Sequence, residues 1–177
     1  MGYWNTRGLR GSTLEEMINL TNDMYREKKL ALIQKIPTPI NPLQLNNADR
    51  TITLAYFEQK STVDYLGVVQ GIPVCFDAKE TGRKSLPIQN IHKHQIDFMD
   101  DFIKQRGLAF LIVHFKSMGE FFYLPFDVLR DFWRGAQSGR RKSIPYEAFD
   151  KTFLIKSKNG YLLHYLEAVD LYLQREN

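Results

Sequence analysis

Apolar positions recur along the 177-residue chain at two spacings, and each spacing predicts its own elements. Leu14, Met17, Ile18, Thr21, Met24 and Tyr25 repeat at helical intervals behind the capping-box pattern Ser12-Thr13-Leu14-Glu15-Glu16, so a helix is expected from there to about Lys29. Residues 30–36 read as a short strand. Pro37, Pro39 and Pro42 interrupt regular structure, and the polar run 41–49 reads as a loop, making 37–51 a protruding excursion. Residues 52–57 form the next strand. Residues 62–69 and 72–80 alternate polar and apolar positions about Gln70-Gly71 and predict an antiparallel hairpin. A helix over 88–105 follows, with Pro87 at its start and Gly107 as its stop. The nearly unbroken apolar run 108–115 predicts a central strand covered on both faces. A strand at 120–124, short helices at 127–133 and 145–149 and a last helix at 161–174 complete the chain. The resulting α-β-β-β-β-α-β-β-α-α order predicts one α/β domain over 1–177, a mixed central sheet flanked by helices.

The hairpin carries the chemistry. Residues equidistant from its turn face each other, which sets Asp64 against Asp77 and Thr62 against Lys79 on one face. Ile72, Val74, Phe76 and Ala78, with Val63, Tyr65 and Val69, make the opposite face apolar. Facing carboxylates repel unless neutralised. A divalent cation would do so, and Mg²⁺ in particular takes one or two carboxylates while binding phosphate oxygens. The pattern therefore suggests metal-assisted phosphodiester hydrolysis by Asp64 and Asp77, with Lys79 orienting water or stabilising the transition state. The competing reading is a pair of solvated strand charges, since Asp-x12-Asp-x-Lys alone is unspecific. Gln95 falls on the apolar stripe with Ile88, Ile91, Phe98 and Phe102 and requires a partner there, either the metal site or backbone. His92 and His94 flank it and suit phosphate contact or a surface role. Their spacing, with no cysteine nearby, argues against zinc.

Charge alters this picture mainly through its distribution. The net charge is +4, a mild excess that permits an anionic partner. Arg7 and Arg10 lie in a glycine-punctuated arm, Arg83 and Lys84 directly after the hairpin, and Arg134, Arg140, Arg141 and Lys142 near Gly135 and Gly139. Basic loops around a metal site are what a nucleic-acid backbone would select. Hydrophobic residues at 44% and aromatics at 13% exclude a disordered chain, and no apolar run approaches membrane-spanning length. The single Cys75 excludes an intrachain disulfide and, with no apolar signal core at the N-terminus, predicts a cytoplasmic protein.

Longer stretches carry a resemblance. Ser61-Thr62-Val63-Asp64-Tyr65-Leu66-Gly67, then Phe76-Asp77-Ala78-Lys79-Glu80-Thr81, then Leu86-Pro87-Ile88-Gln89-Asn90-Ile91-His92-Lys93-His94-Gln95 resemble the RecU family of Holliday junction resolvases. Arg10-Gly11-Ser12-Thr13-Leu14-Glu15, Pro37-Thr38-Pro39 and Ala55-Tyr56-Phe57 add to it, so that the likeness covers roughly residues 7–175. The resemblance implies a restriction-endonuclease-like PD-(D/E)xK fold. It also implies a homodimer that cuts four-way junction DNA symmetrically with Mg²⁺ or Mn²⁺. Metal ligands would fall on Thr62, Asp64, Asp77 and Gln95, the transition-state lysine on Lys79, and the junction-entering stalk on about 37–51, with Arg50 as a basic residue within it. DNA phosphates would be met by Arg7, Arg10, Arg83, Lys84, Arg140, Arg141 and Lys142. Glu15 and Glu16 suit a supporting role near the site or plain capping, and Glu80 points away from it. A RecA-type recombinase or a branch-migration helicase would be a protein partner. Asp77 departs from the family, which usually has Glu there, so its carboxylate sits one methylene nearer the backbone. A junction-binding recombination modulator with weak or no cleavage, or another nuclease of the same fold, is the alternative.

Overall fold

A computed structural model describes residues 14–37, 39–57 and 62–176. Six strands form a mixed sheet in the order β1-β4-β5-β7-β8-β10: β1 Ala31–Lys35, β4 Tyr65–Val69, β5 Ile72–Thr81, β7 Leu108–Phe115, β8 Glu120–Pro125 and β10 Leu154–Ile155. Only β5 and β7 run parallel, joined by a crossover containing helix α2 (Lys93–Lys104). Every other pairing in the sheet is antiparallel.

Alternation along the central strands divides the interior into two cores. Val74, Phe76, Phe110 and Ile112 face helix α1 (Leu14–Glu27) and helix α4 (Leu166–Glu176), meeting Ile18, Tyr25 and Val169. Cys75, Ala109, Leu111 and Val113 face α2 and helix α3 (Phe126–Gln137), meeting Ile96, Met99 and Leu129. Helices on both faces explain why β7 is apolar nearly throughout. Tyr65, Phe76, Phe110 and Tyr123 form a ladder across β4, β5, β7 and β8, with successive ring centroids 4.7, 4.7 and 4.5 Å apart. Each such contact adds about 0.5–1.5 kcal/mol beyond area burial. The ladder thus resists register slip beneath the carboxylates, which lie on the opposite face of β5.

Several expectations are corrected. The run 41–49 is not a loop: β2 (Ile40–Asn46) pairs with β3 (Thr51–Phe57) in a separate two-stranded sheet. Pro42 is tolerated because its strand has one neighbour and the register shifts beside it. The protrusion accordingly extends past residue 51 to Phe57. The helix expected over 88–105 is broken. Residues Ser85–Pro87 form β6 and pair with β9 (Ser143–Pro145), the 3₁₀ turn Ile88–Asn90 follows, and Ile91 is extended before α2 begins. Ile88 and Ile91 are buried without being helical, which is why the apolar stripe overran the boundary. α3 continues through Gly135 to Gln137. The helix expected over 145–149 is reduced to a 3₁₀ turn, Tyr146–Ala148, behind β9. The last helix starts at Leu166, because Tyr161, Leu163 and Tyr165 alternate inward against α1 and the Leu163 amide donates to Thr21 Oγ1 at 3.2 Å.

Candidate active site

The hairpin turn is built as its sequence predicts. Gln70 and Gly71 take positive φ, 48° and 88°, and pairing runs from Val69–Ile72 to Tyr65–Phe76 in the expected register. β1 packs closely against β4: a Cβ on Gly67 would lie 2.2 Å from the Leu32 carbonyl oxygen. Strand pairing stops at Tyr65, however, so Asp64 and Asp77 are not a ladder pair, and Thr62 lies exposed outside the strand rather than opposite Lys79. Val63 turns into the core on the α2 side instead of joining the apolar face expected for it.

The two aspartates lock together through backbone instead. The Asp64 amide donates to Asp77 Oδ1 at 2.7 Å, and the Ala78 amide donates to Asp64 Oδ2 at 3.0 Å. Asp77 is fully buried. Its Oδ2 accepts from Lys79 Nζ at 2.8 Å and also from Gln95 Nε2. Gln95 Oε1 in turn accepts from the His92 amide at 3.0 Å. The buried Gln95 therefore has both of its expected partners, backbone on one side and the carboxylate site on the other. Its place three residues into α2 follows from the break before that helix: a helix beginning at residue 88 would not have presented the His92 amide for capping.

Burial, and then the charge of Asp77, pushes the Asp64 carboxyl from 3.8 up to about 6. A buried carboxylate pair with one member driven toward protonation carries excess negative charge that Lys79 alone does not cancel. A divalent cation with oxygen ligands would cancel it. Among the described residues no three His, Cys, Asp or Glu side chains gather as a metal cluster. Two carboxylates would thus leave the remaining positions to hydroxyl, amide, water or phosphate oxygens, which Mg²⁺ accepts and a structural zinc site does not. The residues present fit such a cation.

The other predicted residues divide. Glu80 lies on the opposite face, where its carboxylate meets His114 Nδ1 at 3.1 Å and Lys116 Nζ at 2.9 Å. Sequence reading did not single out His114. Its signal was its place in β7 directly beside Glu80. Glu15 pairs with Lys35 and borders a cavity of about 390 Å³ shared with Lys79 and Glu80, while Glu16 is exposed on α1. The rings of His92 and His94 stack at 5.4 Å. Arg50 ends the turn between β2 and β3 at φ 53°. Arg83 and Lys84 occupy the turn between β5 and β6, and Arg140, Arg141 and Lys142 lead into β9. Arg134 stands apart from them on the last turn of α3. Arg7 and Arg10 lie outside the described residues.

Comparison with known proteins shows the family of the chain. The family model described as Recombination protein U matches residues 9–171. A Holliday junction resolvase RecU of Oenococcus oeni is 41% identical over 167 residues, 92% of this chain and 85% of the relative. One from Oceanobacillus iheyensis is 41% identical over 166 residues, 91% and 85% of the two chains. Among solved structures, an Archaeoglobus fulgidus Holliday junction resolvase, Hjc, covers 64% of this chain and 75% of its own at 10% identity and a TM-score of 0.34, too slight a likeness to carry weight. A family match across the hairpin, α2 and both cores, with relatives this similar over nearly the whole chain, leads to one conclusion: this chain belongs to the RecU family.

Proposed function

We propose that the protein is a metal-dependent endodeoxyribonuclease that resolves four-way DNA junctions, acting as a homodimer with one site on each of two strands. The observation that carries this reading is the Asp64–Asp77 pair, with Asp77 fully buried and Lys79 bonded to it, in a chain whose relatives are named Holliday junction resolvases. A bound Mg²⁺ or Mn²⁺ would lower the pKa of an attacking water and offset charge on the scissile phosphate. Asp64 and Asp77 would supply anionic oxygens and Thr62 a neutral one, while Gln95 turns its amide nitrogen, not its oxygen, toward Asp77. Gln95, tied to the His92 amide, holds the Asp77 carboxylate in one orientation. Lys79 Nζ, anchored on Asp77, presents a positive charge where the phosphate gains negative charge. Water oxygen forms the new bond to phosphorus as the bridging ester bond breaks, leaving a phosphate on one end and a hydroxyl on the other. A RecA-type recombinase or branch-migration helicase as partner rests on the resemblance alone, and a cytoplasmic setting rests on the single cysteine and the N-terminal composition. Among the described residues no helix is long and apolar enough to cross a membrane.

A second reading, junction binding with weak cleavage, is favoured by one feature. Asp77 stands where the family usually has Glu, and its Oδ2 is already engaged by both Lys79 and Gln95. One experiment separates the two readings: a synthetic four-way junction and a linear duplex incubated with Mg²⁺ or Mn²⁺, with Asp77→Ala beside the unaltered chain. Symmetric nicks on the junction, lost in the variant, establish the resolvase. Tight junction binding without nicks selects the second reading.

A further inference from the structure

Two basic clusters that are far apart in sequence flank the two ends of one small sheet. β6 pairs with β9, aligning Ser85 with Pro145, Leu86 with Ile144 and Pro87 with Ser143. The ends of this small sheet are tied at both clusters. The Tyr146 amide donates to the Lys84 carbonyl at 3.1 Å, and the Ile88 amide to the Lys142 carbonyl at 3.0 Å. Beneath it Leu86 and Ile144 are both fully buried in the core on the α2 side. The turn that carries Arg83 is pinned as well: Thr81 Oγ1 accepts from the Arg83 amide at 3.1 Å and donates to the Ser85 carbonyl at 3.0 Å. Arg140 follows Gly135, whose carbonyl accepts from the Arg140 amide at 2.9 Å.

The charges on this sheet are not neutralised within the protein. Lys93, Lys104, Lys116, Arg130, Lys151, Lys158 and Arg175 each sit within 4.0 Å of a carboxylate. Arg83, Lys84, Arg140, Arg141 and Lys142 are exposed, and among the described residues none of the five has an acidic partner. Arg141 is held by a neutral contact instead, Nε donating to Ser143 Oγ at 3.1 Å. Glu147, on the turn after β9, is exposed and makes no ion pair among the described residues. Five cations fixed on rigid backbone, without internal counter-charges, complement a polyanion with regularly spaced charges.

The geometry points to the β6–β9 sheet as a single phosphate rail. It grips the duplex arm that leads away from the cleavage site, and it supplies affinity without distinguishing a branch point from a continuous helix. This rests on the nuclease reading above, which places the scissile phosphate at Asp77. β5 runs unbroken from Asp77 to Thr81, so the rail begins about 13 Å beyond the carboxylates at ~3.3 Å per residue. That distance equals the rise of about four nucleotides of B-DNA at ~3.4 Å per step. Nothing in the sheet has the shape of a branch: it is short, it is backed by core, and it presents only charge.

The test measures equilibrium binding to a linear duplex and to a four-way junction, in EDTA so that no strand is cut, over a range of salt concentrations. The proteins are the unaltered chain, Arg83→Ala/Lys84→Ala, Arg140→Ala/Arg141→Ala/Lys142→Ala, and Lys104→Ala/Lys158→Ala as a control drawn from the ion-paired cations. Each phosphate contact removed lowers the slope of log affinity against log salt by about 0.9. The double variant is therefore expected to lose about two units of slope, and the triple variant about three, for each protomer that engages the DNA, on both DNAs, with the control unaltered. An unchanged slope in either cluster variant overturns the single rail, as does a loss of slope confined to the junction. If the unaltered chain binds neither DNA, the nuclease reading fails and the rail with it. If it binds the DNAs while the cluster variants keep their slopes, only the rail fails.

Discussion

Two antiparallel hairpins stand side by side in this chain, and they are treated in opposite ways. The β4–β5 hairpin lies between two cores, with Val74, Cys75, Phe76 and Asp77 all buried. The β2–β3 ribbon, inserted between β1 and β4, leaves Leu43 60% and Leu45 61% exposed, with Leu54 and Tyr56 about half so. Both are antiparallel pairs, regular in β4–β5 and shifted in register in β2–β3, and what differs most is the surroundings. Inside the sheet an unsatisfied charge is expensive, so Asp64 and Asp77 are bound into a network of amides, Lys79 and Gln95, and Asp64 is pushed toward protonation. On the ribbon only apolar exposure is at stake. A lone two-stranded hairpin is marginal in water, so these side chains await a covering surface. The proposed chemistry sits where the fold is most constrained, and the most exposed apolar side chains sit where it is least covered.

The comparison can be broken at either hairpin. The largest effect belongs to Asp77→Ala, expected to slow junction cleavage by about 10³-fold, the scale of removing a main charge-stabilising group. Single-turnover cleavage measures it, and an undiminished rate would move the chemistry elsewhere. Gly67→Ala is expected to cost about 2–3 kcal/mol in urea unfolding, because the new Cβ would meet the Leu32 carbonyl oxygen at 2.2 Å in a packed region. Gln95→Leu removes a donor to Asp77 and the acceptor for the His92 amide, and is expected to cost about 1–3 kcal/mol in the same assay.

Asp64 gives the pH dependence. Its folded pKa of about 6 lies above the ordinary 3.8, so the folded chain holds a proton through a window in which the unfolded chain has released it. The Asp64 contribution to stability is complete below about pH 4 and is lost as pH rises through about 6. The Tm of metal-free protein should fall across that interval, and Asp64→Asn should flatten the fall. Saturating Mg²⁺ should raise Tm at neutral pH by binding the folded state. The smallest stability effect is expected on the ribbon, where Leu45→Ser with Leu54→Ser should stay within about 0.5 kcal/mol. The same pair should lower the preference for a junction over linear duplex. Loss of folding instead would show that the ribbon is covered in the free protein.

Legibility in the sequence followed locality. The register of β4 and β5, the burial of Gln95 and the turn at Gln70-Gly71 were all readable, because each depends on residues a few positions apart. The helix break before residue 93 was not. Ile88 and Ile91 keep helical spacing, and what pulls their segment straight is pairing of β6 with β9 more than fifty residues later. The start of α4 was misplaced for a related reason, since Tyr161, Leu163 and Tyr165 alternate against a helix near the opposite end of the chain. The strand in 40–46 was hidden by its proline and its polar residues, which a ribbon with only one partner strand tolerates.

The sequence by itself singled out the residues proposed to bear the chemistry, the alternation that sends Glu80 away from Asp77 and Lys79, and the family to which the chain belongs. Only the tertiary structure decided that Asp64 and Asp77 meet through backbone amides rather than as a ladder pair, that Gln95 bonds Asp77 while the His92 amide holds its oxygen, and that two distant basic clusters flank one small sheet. The physical reason is that side-chain period is a local property of φ and ψ, whereas burial, charge compensation and strand pairing depend on what the rest of the chain brings alongside.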